Sequence, residues 1–173
     1  MLPRATLTRT SRDQATNSGR SQEISRLIGR SLRAGIDLRG LGQRQIIVDC
    51  DVLQADGSTR TAAITGGFVA LALACNRLVQ TRVLKSSPVS SRIAAVSVGM
   101  VAGAARLDLE YREDAAADVD FNVVMNARGE LIEVQGSAEG KPFSRAQMDA
   151  MVDLAHAGIH RLFELQVEAL EEG

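Results

Sequence analysis

The sequence is poor in residues that stack, staple or break a chain. It has no tryptophan, one tyrosine and four phenylalanines in 173 residues, an aromatic content of 3%. That excludes the row of exposed rings on which typical single-strand nucleic-acid binders stack successive bases. Two cysteines, Cys50 and Cys75, are too few for a disulfide scaffold. Each falls in an apolar-periodic segment, which points to buried, reduced thiols. No apolar stretch approaches the roughly 20 residues needed to span a bilayer, and no leader-like series is present. These absences point to a cytoplasmic protein. Hydrophobic content of 45% and charged content of 24% fit a globular chain of ordinary domain size.

Lysine is also scarce, with Lys85 and Lys141 the only two among 20 basic residues. The remainder is arginine, whose planar fork suits bidentate phosphate contacts. The net charge of −1 conceals an asymmetry. Residues 1–44 hold nine arginines against Asp13, Glu23 and Asp37, whereas Leu107–Asp120 holds six acidic residues against Arg112 alone. A basic end and an acidic patch in one domain fit a polyanion held near a carboxylate-bound metal; scattered surface charge is the alternative.

Residues 1–20 read as an extended, arginine-bearing segment. Ile24, Leu27, Ile28, Leu32 and Ile36 then recur at helical spacing, ended by Gly40 and Gly42. Residues 45–54 alternate as a strand, and a strongly apolar helix is expected from about Thr61 to Val79. Residues 93–101 are apolar on both faces, as in a central strand. Further strands are expected at 106–111, 119–126 and 131–136, with Ala127-Arg128-Gly129 as a hairpin turn. The last element is a helix opened by the Ser144-x-x-Gln147 capping box. Its apolar stripe is Met148, Met151, Val152, Ala155, Ile159, Leu162 and Leu165. The predicted fold class is α+β, a single domain over 1–173 with a mixed sheet packed by helices.

Three constellations carry chemistry. Gly57-Ser58-Thr59-Arg60 falls between a strand and a helix, so free backbone N–H groups, two hydroxyls and a guanidinium converge on a place for phosphate. An ordinary helix cap is the alternative. Asp114 and Asp120, with Glu113 and Asp118 nearby, bracket the REDAAAD loop and could meet on a magnesium ion, or form a solvated acidic turn. Arg4, Arg9 and Arg12 could follow an RNA backbone without reading sequence, or lie in a disordered arm. His156 and His160 share a helix face but have no clear third ligand.

The string Asp49-Cys50-Asp51-Val52-Leu53-Gln54-Ala55-Asp56-Gly57-Ser58-Thr59-Arg60-Thr61 resembles the D-C-D-V-L-Q-A-D-G-G-T-R-T signature of the bacterial ribonuclease PH family. AAVSVG (94–99), DLEYREDAAADVDFNVVM (108–125) and EVQGSAEG (133–140) continue the resemblance, as do M-L-P-R and residues 23–34. It implies a ribonuclease PH-type fold and phosphorolytic 3′→5′ trimming of tRNA precursors, releasing nucleoside diphosphates. On this likeness Arg20, Ser58, Thr59 and Arg60 bind the attacking phosphate. Asp114 and Asp120 are the catalytic, Mg²⁺-associated pair, and Arg4, Arg9 and Arg12 in the 1–20 segment contact RNA. The family assembles as a ring of six. Its members precede M-L-P-R with several strands, so the resemblance also implies a chain lacking the N-terminal strands. A weakened or inactive short form that binds RNA or phosphate, or serves in assembly, is the alternative. Ser58 stands where the family has glycine, Asp118 where glutamate is usual and Phe121 where methionine is usual.

Overall fold

The structure is a computed structural model and describes residues 19–171. Helix α1 spans Gly19–Arg33 and buries Leu27, Ser31 and Leu32. It stops short of Ile36: the chain turns at Ala34-Gly35, and Ile36 instead forms an isolated bridge with Val89. The one-turn helix α2, Leu38–Leu41, follows, with the Asp37 carboxylate accepting from the Arg39 N–H at 3.0 Å.

Residues 45–54 form no strand. Their alternation is real, because Ile46 and Val48 pack on the core while Ile47 and Leu53 are 81% and 74% exposed. A strand also requires a neighbour to complete its ladder. Among the described residues none lies beside this segment, so it runs extended and unpaired.

Helix α3, Thr59–Gln80, is long and apolar enough to cross a membrane by length and composition, contrary to the expectation from sequence. It is instead a core helix here, with Ile64, Phe68, Leu71 and Cys75 buried against the sheet and α1. The sheet comprises β1 (Ile93–Val101), β2 (Ala104–Leu107), β3 (Val119–Asn126) and β4 (Leu131–Ala138) in the order β2-β1-β3-β4. All three pairings are antiparallel, so the α+β class holds with an antiparallel rather than a mixed sheet. Residues 111–115, expected as strand end and loop, form the short helix α4 (Tyr111–Ala115).

Helix α5, Arg145–Glu171, closes the other face. Its capping box forms as expected: Ser144 N–H donates to Gln147 Oε1 at 2.8 Å, and Gln147 N–H donates to Ser144 Oγ at 3.2 Å. The apolar stripe departs at its end. Phe163 and Gln166 face inward and Leu165 is 42% exposed, as the helical period continued from Ala155 and Ile159 requires. Gln166 Nε2 donates to the carbonyls of Thr65 and Ile93, tying α5 to α3 and β1.

The two-residue period of β1 and β3 sorts their side chains. Ala94, Val96, Val98, Met100, Val119, Phe121, Val123 and Met125 pack toward α5, in one of two core clusters. Ser97, Gly99, Asp120 and Asn122 therefore occupy the opposite face, which α3 covers. The register pairs Ser97 with Asn122 and Gly99 with Asp120.

Candidate active site

The start of α3 meets the segment 108–120 on this face. A Cβ at Gly57 would come within 1.8 Å of Leu109 O, so only glycine allows that approach. Leu109 is itself buried over Gly99, where a Cβ would meet Leu109 Cδ1 at 2.5 Å. Two glycines thus bracket one leucine. Beside them, Asp56 Oδ1 accepts from the Tyr111 N–H at 2.7 Å, fastening α4 to the turn. Sequence reasoning passed over Asp56; its signal is the Asp-Gly pair, a common turn former whose carboxylate can reach backbone N–H groups.

Ser58 adopts the left-handed region, φ 58° and ψ 19°, and makes no side-chain cap. Its hydroxyl is hydrogen-bonded to Ser97 Oγ rather than turned outward. The Ser58 hydroxyl expected to face phosphate is therefore engaged within the fold. Thr59 and Arg60 open the helix, where first-turn N–H groups have no intrahelical acceptor and the dipole is positive. Arg20, Thr59 and Arg60 line one cleft of about 980 Å³ between α1, residues 45–52 and the start of α3. Arg60 Nη1 lies 3.7 Å from Glu23 Oε1, which also accepts from Gln135 Nε2 at 3.2 Å.

Asp120 is half-buried on β3. Burial, and next the charge of Asp114, raise its pKa above the ordinary carboxylate value; Arg60 opposes them, Glu139 adds to the rise, and the Asn122 amide, 3.4 Å away, opposes it. Asp114, Asp120 and Arg60 are thereby within electrostatic reach of one another, although they come from three elements. Asp118 is exposed, with its N–H on Met100 O. Among the described residues, no three His, Cys, Asp or Glu side chains form a ready metal cage. The donor set still suits Mg²⁺, which is commonly held by one or two carboxylates plus water and substrate oxygens.

His156 and His160 are exposed neighbours on α5, with ring centroids 4.7 Å apart and planes tilted by 51°. Both cysteines are free, Cys75 buried and Cys50 partly so. Arg4, Arg9 and Arg12 lie outside the described residues.

Fold and site together define an α+β protein in which an anion-attracting helix start adjoins a carboxylate pair, the equipment of phosphoryl transfer. Comparison with known proteins makes this specific. Residues 1–75 match the model of the 3′ exoribonuclease family, domain 1, and residues 91–158 match that of domain 2. The chain is 56% identical over 172 residues to a ribonuclease PH of Crocosphaera subtropica, covering 99% of this chain and 72% of that one. It is 55% identical over 168 residues to a ribonuclease PH of Dehalococcoides mccartyi, covering 96% and 70%. The chain belongs to the 3′ exoribonuclease family.

Two solved structures share the fold. Rice (Oryza sativa) Rrp46 superposes with a TM-score of 0.64 at 16% identity, over 89% of this chain and 67% of that one. A chain of the Archaeoglobus fulgidus exosome with RNA bound to the active site gives 0.63 at 18% identity, over 85% and 61%.

Proposed function

We propose that this chain is a phosphate-dependent 3′→5′ exoribonuclease that trims the 3′ end of tRNA precursors and releases nucleoside diphosphates. The observation that carries the reading is the convergence of Arg60, at the start of α3, with Asp120 and Asp114. Beside one strand face, a cation suited to phosphate thus comes within electrostatic reach of two carboxylates suited to a hard cation. The 55–56% identity to enzymes named ribonuclease PH supports it over nearly the whole chain.

In this reading Arg20, Arg60, the Thr59 hydroxyl and the backbone N–H groups of residues 58–60 hold inorganic phosphate. One of its oxygens attacks the phosphorus of the terminal phosphodiester and the bond to the 3′-oxygen breaks. The products are a nucleoside 5′-diphosphate and an RNA one residue shorter. Asp114 assists transfer of a proton from the incoming phosphate to the leaving 3′-oxygen, and Asp120 lies near the reacting phosphorus. Mg²⁺, held by Asp114 and Asp120, would offset the charge that develops on the transferring group. Arg4, Arg9 and Arg12 grip the RNA backbone without sequence readout. The working form is a self-associated ring of six, and the setting is cytoplasmic, which suits two free thiols.

Purified chain incubated with a 3′-extended tRNA, Mg²⁺ and phosphate should release nucleoside diphosphates, and omission of phosphate should stop the release. Shortening that continues without phosphate, or yields monophosphates, would overturn the reading. Light scattering on a sizing column reads the ring directly.

A further inference from the structure

Every aromatic residue of the chain falls among the described residues, and only one presents an open face. Phe68, Phe121 and Phe163 are buried, and Phe143 packs edge-on against Phe121 with centroids 6.3 Å apart. Tyr111 is 64% exposed. Among the described residues it makes no ring–ring or cation contact, so packing does not explain its presence.

Its position gives a different reason. Tyr111 opens α4, and Asp114 follows one turn later on the same face. Its N–H is held by Asp56 at 2.7 Å, one residue before the Gly57 turn that leads to Thr59 and Arg60. Residue 111 is therefore placed near both the turn that leads into the anion-attracting helix start and the helix that carries Asp114. A nucleotide with its phosphate between those groups needs somewhere to put its base.

We propose that Tyr111 is the platform on which the base of the 3′-terminal nucleotide stacks, a role that rests on the phosphorolytic reading above. Stacking suits an enzyme that removes nucleotides one after another, because every base offers a π-face. It orients the terminal nucleotide without selecting among bases. The fixed backbone of residue 111 means that little main-chain freedom is lost on binding.

The chain has one tyrosine and no tryptophan, so its intrinsic emission is that of Tyr111. Titration with CDP and UDP, corrected for absorbance, should quench this emission saturably; inorganic phosphate and ribose 5-phosphate should not. Y111A should raise KM for RNA at least about fivefold, with KM for phosphate within about twofold of the parent. Y111F, which keeps the ring, should rescue the RNA term. An active parent with an unaltered RNA KM in Y111A would overturn the proposal, as would equal quenching by phosphate alone. A smaller assembly for Y111A would also overturn it, assigning the ring to a subunit contact. If the parent releases no nucleoside diphosphate, the phosphorolytic reading fails, and quenching by CDP still decides whether the ring meets a base. If Y111A does not fold, titration of the parent decides alone: saturable quenching by CDP upholds the platform, and its absence overturns it.

Discussion

Gly57 and Leu109 meet main chain to main chain, with the carbonyl oxygen of Leu109 in the space where a side chain at 57 would begin. The contact joins the start of α3 to the segment carrying Asp114. G57A must displace one of them. The expected cost is about 1–3 kcal/mol of stability, typical of overpacking, with KM for phosphate raised about tenfold or more. Urea unfolding and phosphate-dependent kinetics on one preparation check both; a fully stable G57A with normal phosphate KM would contradict the geometry.

Ser58 sets two effects against each other. Its positive φ costs about 1 kcal/mol that glycine avoids. Its hydroxyl bond to Ser97, which is buried, is worth a similar amount. S58G alone should therefore be close to neutral. In an S97A background the hydroxyl has lost its partner, and S58G should stabilise by about 1 kcal/mol. The double-mutant cycle in urea measures this directly, and additive single effects would count against the paired-hydroxyl description.

Asp120 gives a pH signature. Burial, then Asp114, hold its folded-state pKa above the ordinary carboxylate value, against the opposing pull of Arg60. The folded chain thus retains a proton that the unfolded chain has already released. Stability falls as pH rises from the ordinary carboxylate pKa through the raised one, and stays lower above it. D120N removes this penalty. In metal-free buffer it should melt above the parent at neutral pH, and the gap should close as pH falls below the ordinary carboxylate range. Phosphorolysis should drop at least about 100-fold in the same variant. Coincident melting curves at every pH would show that Asp120 is not desolvated.

The turn between β1 and β2 offers a test remote from chemistry. Ala102 and Gly103 both have positive φ, 50° and 79°, as the tightest hairpin turns require. Alanine is poorly suited to that region, whereas asparagine tolerates it. A102N should raise stability by about 0.5–1 kcal/mol without altering kinetics. Thermal melting decides it.

Much of this architecture was legible in residue order. The continuous apolar run of β1 announces a strand buried on both faces, and Ser144 and Gln147 mark the start of α5. Helix α4 was not legible, because five residues are too few to establish a period. Residues 45–54 show the converse failure: alternation reveals which side chains point inward but not whether a neighbouring strand exists. Of the site, Thr59 and Arg60 stand out through local turn chemistry. The nearness of Arg60 to Asp120 depends on the Gly99–Asp120 register and on the bracketing of Leu109, both long-range facts. Ser58 shows the limit of reading side chains by type, since its hydroxyl serves Ser97.

The joint at Gly57 crosses between the two family segments, one ending at residue 75 and the other beginning at 91. Contacts between side chains yield by changing rotamer; a joint of main chain on main chain has no such slack. The helix start and the carboxylate-bearing segment must therefore travel together or not at all. The cleft wall is different, because residues 45–52 have no ladder to hold them among the described residues. The reacting groups thus keep their spacing through a joint of main chain, whereas the wall leans on the core through side chains such as Ile46 and Val48.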